Sequence, residues 1–247
     1  MLSKRVIPTL LINGNKLIKG EKFENHSYVG DPINIVKIFN EKYVDELLLY
    51  DIDNSNLNCN LNFKLLKEIS GECNMPLTYG GGINNIEQVR KLFNIGIEKI
   101  SINSFALENY NLIYDLSSTF GSQSVMVTID VKKNFFGTNF IYNWRKKKFL
   151  KNLKFEDHIK SCIRNGAGEI LINIVHNEGT QNGLRLDDLK FLKKEYKLPI
   201  IVSGGINSKE NMDTLLKSDL IDAVGVGANF IYHGPHKGVV ISYYKSS

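Results

Sequence analysis

PLTYGGGINN (residues 76–85) and PIIVSGGINS (199–208) are two copies of one local plan, and their spacing decides the fold. Each is an apolar run that opens on proline, closes on a Gly-Gly pair and continues with Ile-Asn. Gly81 in the first copy matches Gly204 in the second, 123 residues later, if the numbering is followed through both stretches. The same offset relates Glu46 in DELLLYD (45–51) to Glu169 in GEILINI (168–174). TLLI (9–12) returns as TIDV (128–131), which makes Leu11 and Asp130 twins. The two halves of the chain, roughly 1–121 and 122–247, read as related copies.

Outward from these copies, β-rich runs alternate with helix-like stretches from end to end. The strand candidates are RVIPTLLI (5–12), ELLLYDI (46–52), LTYG (77–80), KISIN (99–103), SVMVTIDV (124–131), EILINIV (169–175), PIIVSG (199–204) and AVGVGA (223–228). Amphipathic helix candidates include DPINIVKIFNEKY (31–43), NIEQVRKLFNIG (85–96), KFEDHIKSCIRNG (154–166) and RLDDLKFLKKEY (185–196). Asp31 before Pro32 is a helix start, and Gly96 and Gly166 are helix stops. Near-continuous apolar strands are buried on both faces, and their alternation with helices makes the sheet parallel. Eight such units in 247 residues predict one α/β domain over 1–247, a (β/α)₈ TIM barrel with a two-fold half-barrel repeat. The closing stretch YHGPHKGVVISYYKSS (232–247) gives no clear final helix.

Composition narrows the classes. The chain is 43% hydrophobic and 23% charged, with net charge +5 and pI near 8.9. Its lysines are scattered, and the densest basic run, Arg145 to Lys148, is too short to argue for nucleic acid. Cys59, Cys73 and Cys162 are far apart and outside any CxxC, which fits reduced thiols and gives no zinc motif. The start lacks the apolar core of a signal peptide, and no apolar run reaches membrane-spanning length, so the expectation is a soluble cytoplasmic protein without a membrane partner.

In this architecture the C-terminal ends of the strands carry the chemistry. Gly81-Gly82 and Gly204-Gly205 leave room for an oxygen-rich group to reach backbone N–H donors at a helix start. SINS (101–104) and GVGA (225–228) end adjacent strands and add donors beside them. Two quasi-symmetric anion sites result, and a substrate with a phosphate at each end suits them.

At this point the chain resembles the cyclase subunit of imidazole glycerol phosphate synthase over nearly its whole length. The resemblance is carried by KRVIPTLLINGNKLIKG, FENHSYVGDP, DELLLYDID, PLTYGGGI, EKISINS, FGSQSVMVTIDVK, GAGEILINI, EGTQNG and PIIVSGGI. It implies a lyase/cyclase reaction on a bisphosphorylated small molecule, with no metal or other cofactor. It also implies ammonia from a partner glutaminase of the HisH type, bound as a heterodimer. By position, Asp130 resembles one of the family's two acid/base aspartates, with Lys19 and Asp51 as active-site support. Gly81, Gly82, Asn103 and Ser104 resemble one phosphate site; Gly179, Thr180, Gly204, Gly205, Gly227 and Ala228 resemble the other. Arg5, Glu46, Lys99 and Glu169, each at a strand start, resemble the charged gate through which ammonia enters. Two acids and two bases in a ring pass a small neutral molecule more easily than an ion.

Three stretches depart from the family pattern. Leu11 stands where the first catalytic aspartate is expected, and a hydrocarbon cannot carry a proton. VHNEGT (175–180) has His176 and Glu178 at usual aspartate positions, which makes His176 a candidate substitute acid/base. NWRKKK (143–148) replaces a small glycine-rich turn beside Asp130 and brings in Trp144, read first as packing. Gate and phosphate glycines survive while the acid pair does not, so the expectation is an ammonia-channelling subunit retuned for another acceptor. Relatives in cell-surface sugar pathways, where ammonia builds an amidino group, supply one such acceptor class. Two alternatives stay open: a working histidine-biosynthesis cyclase, and a non-catalytic binder of a phosphorylated ligand that activates the glutaminase.

Overall fold

A computed structural model describes residues 4–52, 61–193, 195–234 and 236–245. Strand β1 (Arg5–Asn13) runs into a hairpin of β2 (Lys16–Glu21) and β3 (Glu24–Gly30), then α1 (Pro32–Glu41). The chain continues through β4 (Leu47–Asp51), α2 (Phe63–Glu72), β5 (Leu77–Gly80), α3 (Ile86–Asn94), β6 (Lys99–Ile102), α4 (Ser104–Glu108) and α5 (Asn111–Phe120). The second half has β7 (Val125–Lys133), the hairpin strands β8 (Asn139–Asn143) and β9 (Lys148–Phe149), α6 (Phe155–Arg164) and β10 (Glu169–Ile174). It closes with β11 (Ile200–Ser203), α7 (Lys209–Leu216), β12 (Ala223–Val226), α8 (Ala228–Ile231), β13 (Tyr232–His233) and β14 (Gly238–Val239).

β1, β4, β5, β6, β7, β10, β11 and β12 pair in parallel in that order, and β12 returns to pair with β1. The eightfold parallel barrel expected from the alternation is therefore present, and closing the ring removes the exposed edges that an open sheet would carry. Each half begins with a nine-residue strand that outruns the ring and carries an antiparallel arm: β2 on β1, and β8 on β7.

Local chemistry explains the helices. Asp31, Asn62, Asn85 and Ser208 cap α1, α2, α3 and α7, each side chain accepting from the backbone N–H three residues on. Gly96 and Gly166, at φ 99° and 92°, follow the last turns of α3 and α6 as expected. Apolar faces of these helices pack against the outside of the sheet, for example Val36, Phe39, Leu66, Val89 and Leu116. A second, smaller core of Ile7, Leu48, Met126, Leu171, Ile201 and Ala223 fills the barrel interior.

One expectation needs correction. RLDDLKFLKKEY does not give the expected amphipathic helix: among its described residues only a 3₁₀ turn, Leu186–Leu189, is present. The reason is tertiary: Asp188 binds Lys133 of β7 at 2.7 Å and accepts from the Arg185 backbone N–H at 3.3 Å, so it does not serve a helix face. The C-terminal stretch, left without a helix, holds the small β13–β14 hairpin. Cys73 and Cys162 are free thiols, and Cys59 lies outside the described residues. Among the described residues no helix is long and apolar enough to cross a membrane.

Candidate active site

Alternate residues of a strand point to the same face, so each barrel strand lines the interior with every second side chain. On β1 these are Arg5, Ile7, Thr9 and Leu11: a charge, a core residue, then two cavity-lining residues. β10 repeats this order with Glu169, Leu171 and Asn173, and the interior is layered along its axis.

The layer at the strand starts is a closed ion-pair ring. Arg5 binds Glu46 at 2.6 Å and also Glu169; Lys99 binds Glu46 at 3.1 Å and Glu169 at 2.7 Å. Both glutamates are 5% exposed, and Thr78 donates to Glu46 at 3.2 Å. Burial alone would lower the pKa values of Arg5 and Lys99, but the two carboxylates outweigh it and raise both. Above this ring lies the apolar interior core, and above that a knot of hydroxyls. Thr128 Oγ1 sits 3.0 Å from Tyr50 Oη and 2.7 Å from Ser101 Oγ. Burial pushes the Tyr50 phenol up to about 12.

The strand C-termini then open into a cavity of about 440 Å³. Asp130, at the inner end of β7, is 4% exposed. Asn103 donates to its Oδ2 at 2.7 Å and Asn173 to its Oδ1 at 3.0 Å. Burial raises its pKa to about 6; the two amides work against this, and the charge of Glu178 works with it. Such a carboxyl holds or releases a proton near neutral pH. Lys19, brought over the cavity by the β2 arm, forms a buried ion pair with Glu178. Asp51, at the end of β4, accepts from Tyr79 Oη at 3.4 Å and also lines the cavity. Leu11 lines it too, from β1, the strand facing β7 across the eightfold ring.

Gly81, Gly82, Asn103 and Ser104 line one end of the cavity, and Gly179, Gly204, Gly205, Gly227 and Ala228 line the other. Gly81 and Gly204 adopt φ 136° and 107°. A Cβ at Gly81 would collide with the Asp51 carbonyl, and one at Gly204 would lie 2.5 Å from the Ile174 carbonyl, so only glycine fits either turn. The Gly-Gly pairs are not helix starts, however. α3 and α7 begin four residues beyond them, whereas the short helices α4 and α8 begin at the cavity wall, directly after Asn103 and Gly227. Thr180 is absent from the lining: its hydroxyl donates to the Asn177 carbonyl at 2.8 Å and holds its own turn.

His176 does not face Asp130. It lies outside the cavity, its ring nitrogens make no hydrogen bond, and burial lowers its pKa. Trp144 lines the mouth while packing edge-on against Phe23 at 4.8 Å. The adjacent basic run is occupied within the fold: Lys146 binds Glu108 of α4 at 2.8 Å, and Arg145 lies 4.9 Å over the Phe105 ring. Asn173, Tyr50 and the Lys19–Glu178 pair escaped the sequence reading. Asn173 was open to it, because Glu169, Leu171 and Asn173 share the inward period of β10.

Comparison with known proteins points to one family. The histidine biosynthesis protein family profile matches residues 5–237. A Pseudomonas aeruginosa protein named "Putative imidazole glycerol phosphate synthase subunit hisF2" is 40% identical over 243 residues, 98% of this chain and 96% of its own. A Leptospira interrogans protein given a similar HisF name is 41% identical, covering 98% of this chain and 96% of its own. The imidazole glycerol phosphate synthase subunit HisF of Lactococcus lactis SK11 is 34% identical, covering 94% and 90%.

Proposed function

Because this chain belongs to the HisF-like imidazole glycerol phosphate synthase subunit family, we propose that it accepts ammonia from a HisH-type glutaminase and delivers it to a phosphorylated acceptor. The glutaminase docks on the face of the ion-pair ring as a heterodimer, and ammonia travels along the barrel axis. Gly82, Asn103 and Ser104 take one phosphate of the acceptor, and Gly179, Gly205, Gly227 and Ala228 take the other. Thr180 shapes the second site through its turn. Asp130 transfers protons, and Lys19 and Asp51 orient and neutralise the acceptor. The observation that carries this reading is the axial order itself: a closed charged ring at one mouth and, in line with it, a buried carboxyl between two glycine-lined ends.

Leu11 bears on which acceptor. General acid–base assistance is worth roughly 10²–10⁴ in rate, so hydrocarbon at that position is expected to leave imidazole glycerol phosphate formation weak. Amination of a sugar for cell-surface polymers is the acceptor chemistry we favour. The test is co-purification with the glutaminase encoded nearby, followed by product analysis with glutamine or ammonium chloride as nitrogen source. Failure to complex with that glutaminase, or growth rescue of a histidine-requiring strain lacking its cyclase subunit, would refute the two parts of this reading in turn.

A further inference from the structure

Asp130 is the carboxyl that the sequence singles out, yet the cavity holds another whose surroundings are less usual. Glu178, in the turn after β10, is 6% exposed and lines the same cavity. One of its oxygens is taken by Lys19, while Oε2 is buried and makes no hydrogen bond among the described residues. A buried carboxylate oxygen without a donor is costly, and such atoms are retained where a ligand or a proton completes them. Glu178 is also near enough for its charge to act on Asp130. The two stand on one side of the barrel, because β7 and β10 are adjacent, with Asn173 opposite Asp130 in register.

Resting on the reading that an acceptor is aminated in this cavity, we infer that Glu178 is its second proton-transfer residue, paired with Asp130 on one wall. Leu11, on the opposite wall, gives the acceptor a purely apolar contact. One member of the pair contacts Lys19 and the other accepts from two amides, so the two carboxyls differ in their partners, and one takes a proton while the other returns one. An acceptor suited to this arrangement exchanges both protons on a single side. An acceptor that must be protonated at one end and deprotonated at the other meets hydrocarbon instead. The other charged groups lining the cavity are Asp51 from β4 and Arg145 and Lys147 from the β8–β9 turn, with His26 from β3 as a further titratable group.

Two measurements test this. In protein labelled with ¹³C at side-chain carboxyls, the Asp130 signal should titrate near its raised pKa of about 6, and Glu178→Gln should move that midpoint downward. Glu178→Asp, which keeps the charge, should hold it near the wild-type value and serves as the folding control. An Asp130 midpoint that ignores Glu178→Gln overturns the pairing. In the glutaminase complex, with ammonium chloride and the bisphosphorylated substrate of imidazole glycerol phosphate synthase, Glu178→Gln should lower kcat about 10²–10⁴-fold with KM little changed. It should also remove one limb of the pH profile, which loss of a merely structural ion pair would leave in place. Wild-type kcat with both limbs intact overturns the inference. If Leu11 leaves the wild-type complex without measurable turnover of that substrate, the reading in the previous subsection stands and the titration alone decides the pairing; that reading falls instead if no complex with the glutaminase forms.

Discussion

At the scale of single residues, the raised pKa of Asp130 makes stability depend on pH and, in the function proposed above, governs proton transfer as well. Its pKa in the folded protein, about 6, lies above the ordinary 3.8. Folding therefore gains from Asp130 fully below pH 3.8, and that gain is lost as pH rises through about 6. Asp130→Asn removes the dependence. Relative to wild type, the variant should gain about 3 kcal/mol of stability between about pH 3.5 and about pH 7, read from urea unfolding at a series of pH values. The same variant should lose amination activity by about 10²-fold or more. Stability gained where activity is lost separates a functional carboxyl from a structural one. Leu11→Asp tests the facing wall: imidazole glycerol phosphate formation should rise at least about tenfold, measured with ammonium salts. How far these residues were legible differs. Asp130 could be read from the repeat, because its neighbours hold the strand pattern constant. Glu178 could be read only as an acid at an aspartate position of the family; its pairing with Lys19, 159 positions away in the chain, could not, because only the folded arm brings Lys19 near.

At the scale of elements, the signals that succeeded were local and the failures were tertiary. Asp31 before Pro32 starts α1 because its side chain accepts from Asn34 N at 3.0 Å, a contact fixed by three residues of sequence. Asp31→Ala should cost about 1 kcal/mol, visible as a lower midpoint in thermal unfolding with no change in amination. RLDDLKFLKKEY has helical periodicity too, yet Asp188 is drawn to Lys133 on β7 and the helix does not form. No pattern within that stretch reveals Lys133 as its competitor. The cavity glycines, proposed above to hold phosphate, fall between these cases. Their need for left-handed backbone was legible, but the donors beside them belong to α4 and α8, helices of five and four residues, too short for periodicity to mark.

At the scale of the whole molecule, one ring of strands joins a mouth closed by ion pairs to a mouth that opens into a cavity. The repeat and the strand count were sufficient to give this architecture. The continuity of the ion-pair ring was not open to them, because its members come from β1, β6 and β10 and from the residue before β4. Glu169→Gln leaves Arg5 and Lys99 to share Glu46. Both bases are partly exposed, so the cost in urea unfolding should stay near about 1–3 kcal/mol, below that of breaking a fully buried pair. If ammonia enters there, glutamine-dependent turnover of the complex should fall further than ammonium-dependent turnover, and an equal loss in both would count against that route. The interior core above the ring has a further effect. Ile7, Leu48, Met126, Leu171, Ile201 and Ala223 offer water no polar atom to hold, and apolar interiors of this kind stay dry. A file of water cannot thread them, so protons have no wire from one mouth to the other. The barrel is insulated along its own axis, and the acidity felt in its cavity is that of the solvent on that side alone, whatever caps the far face.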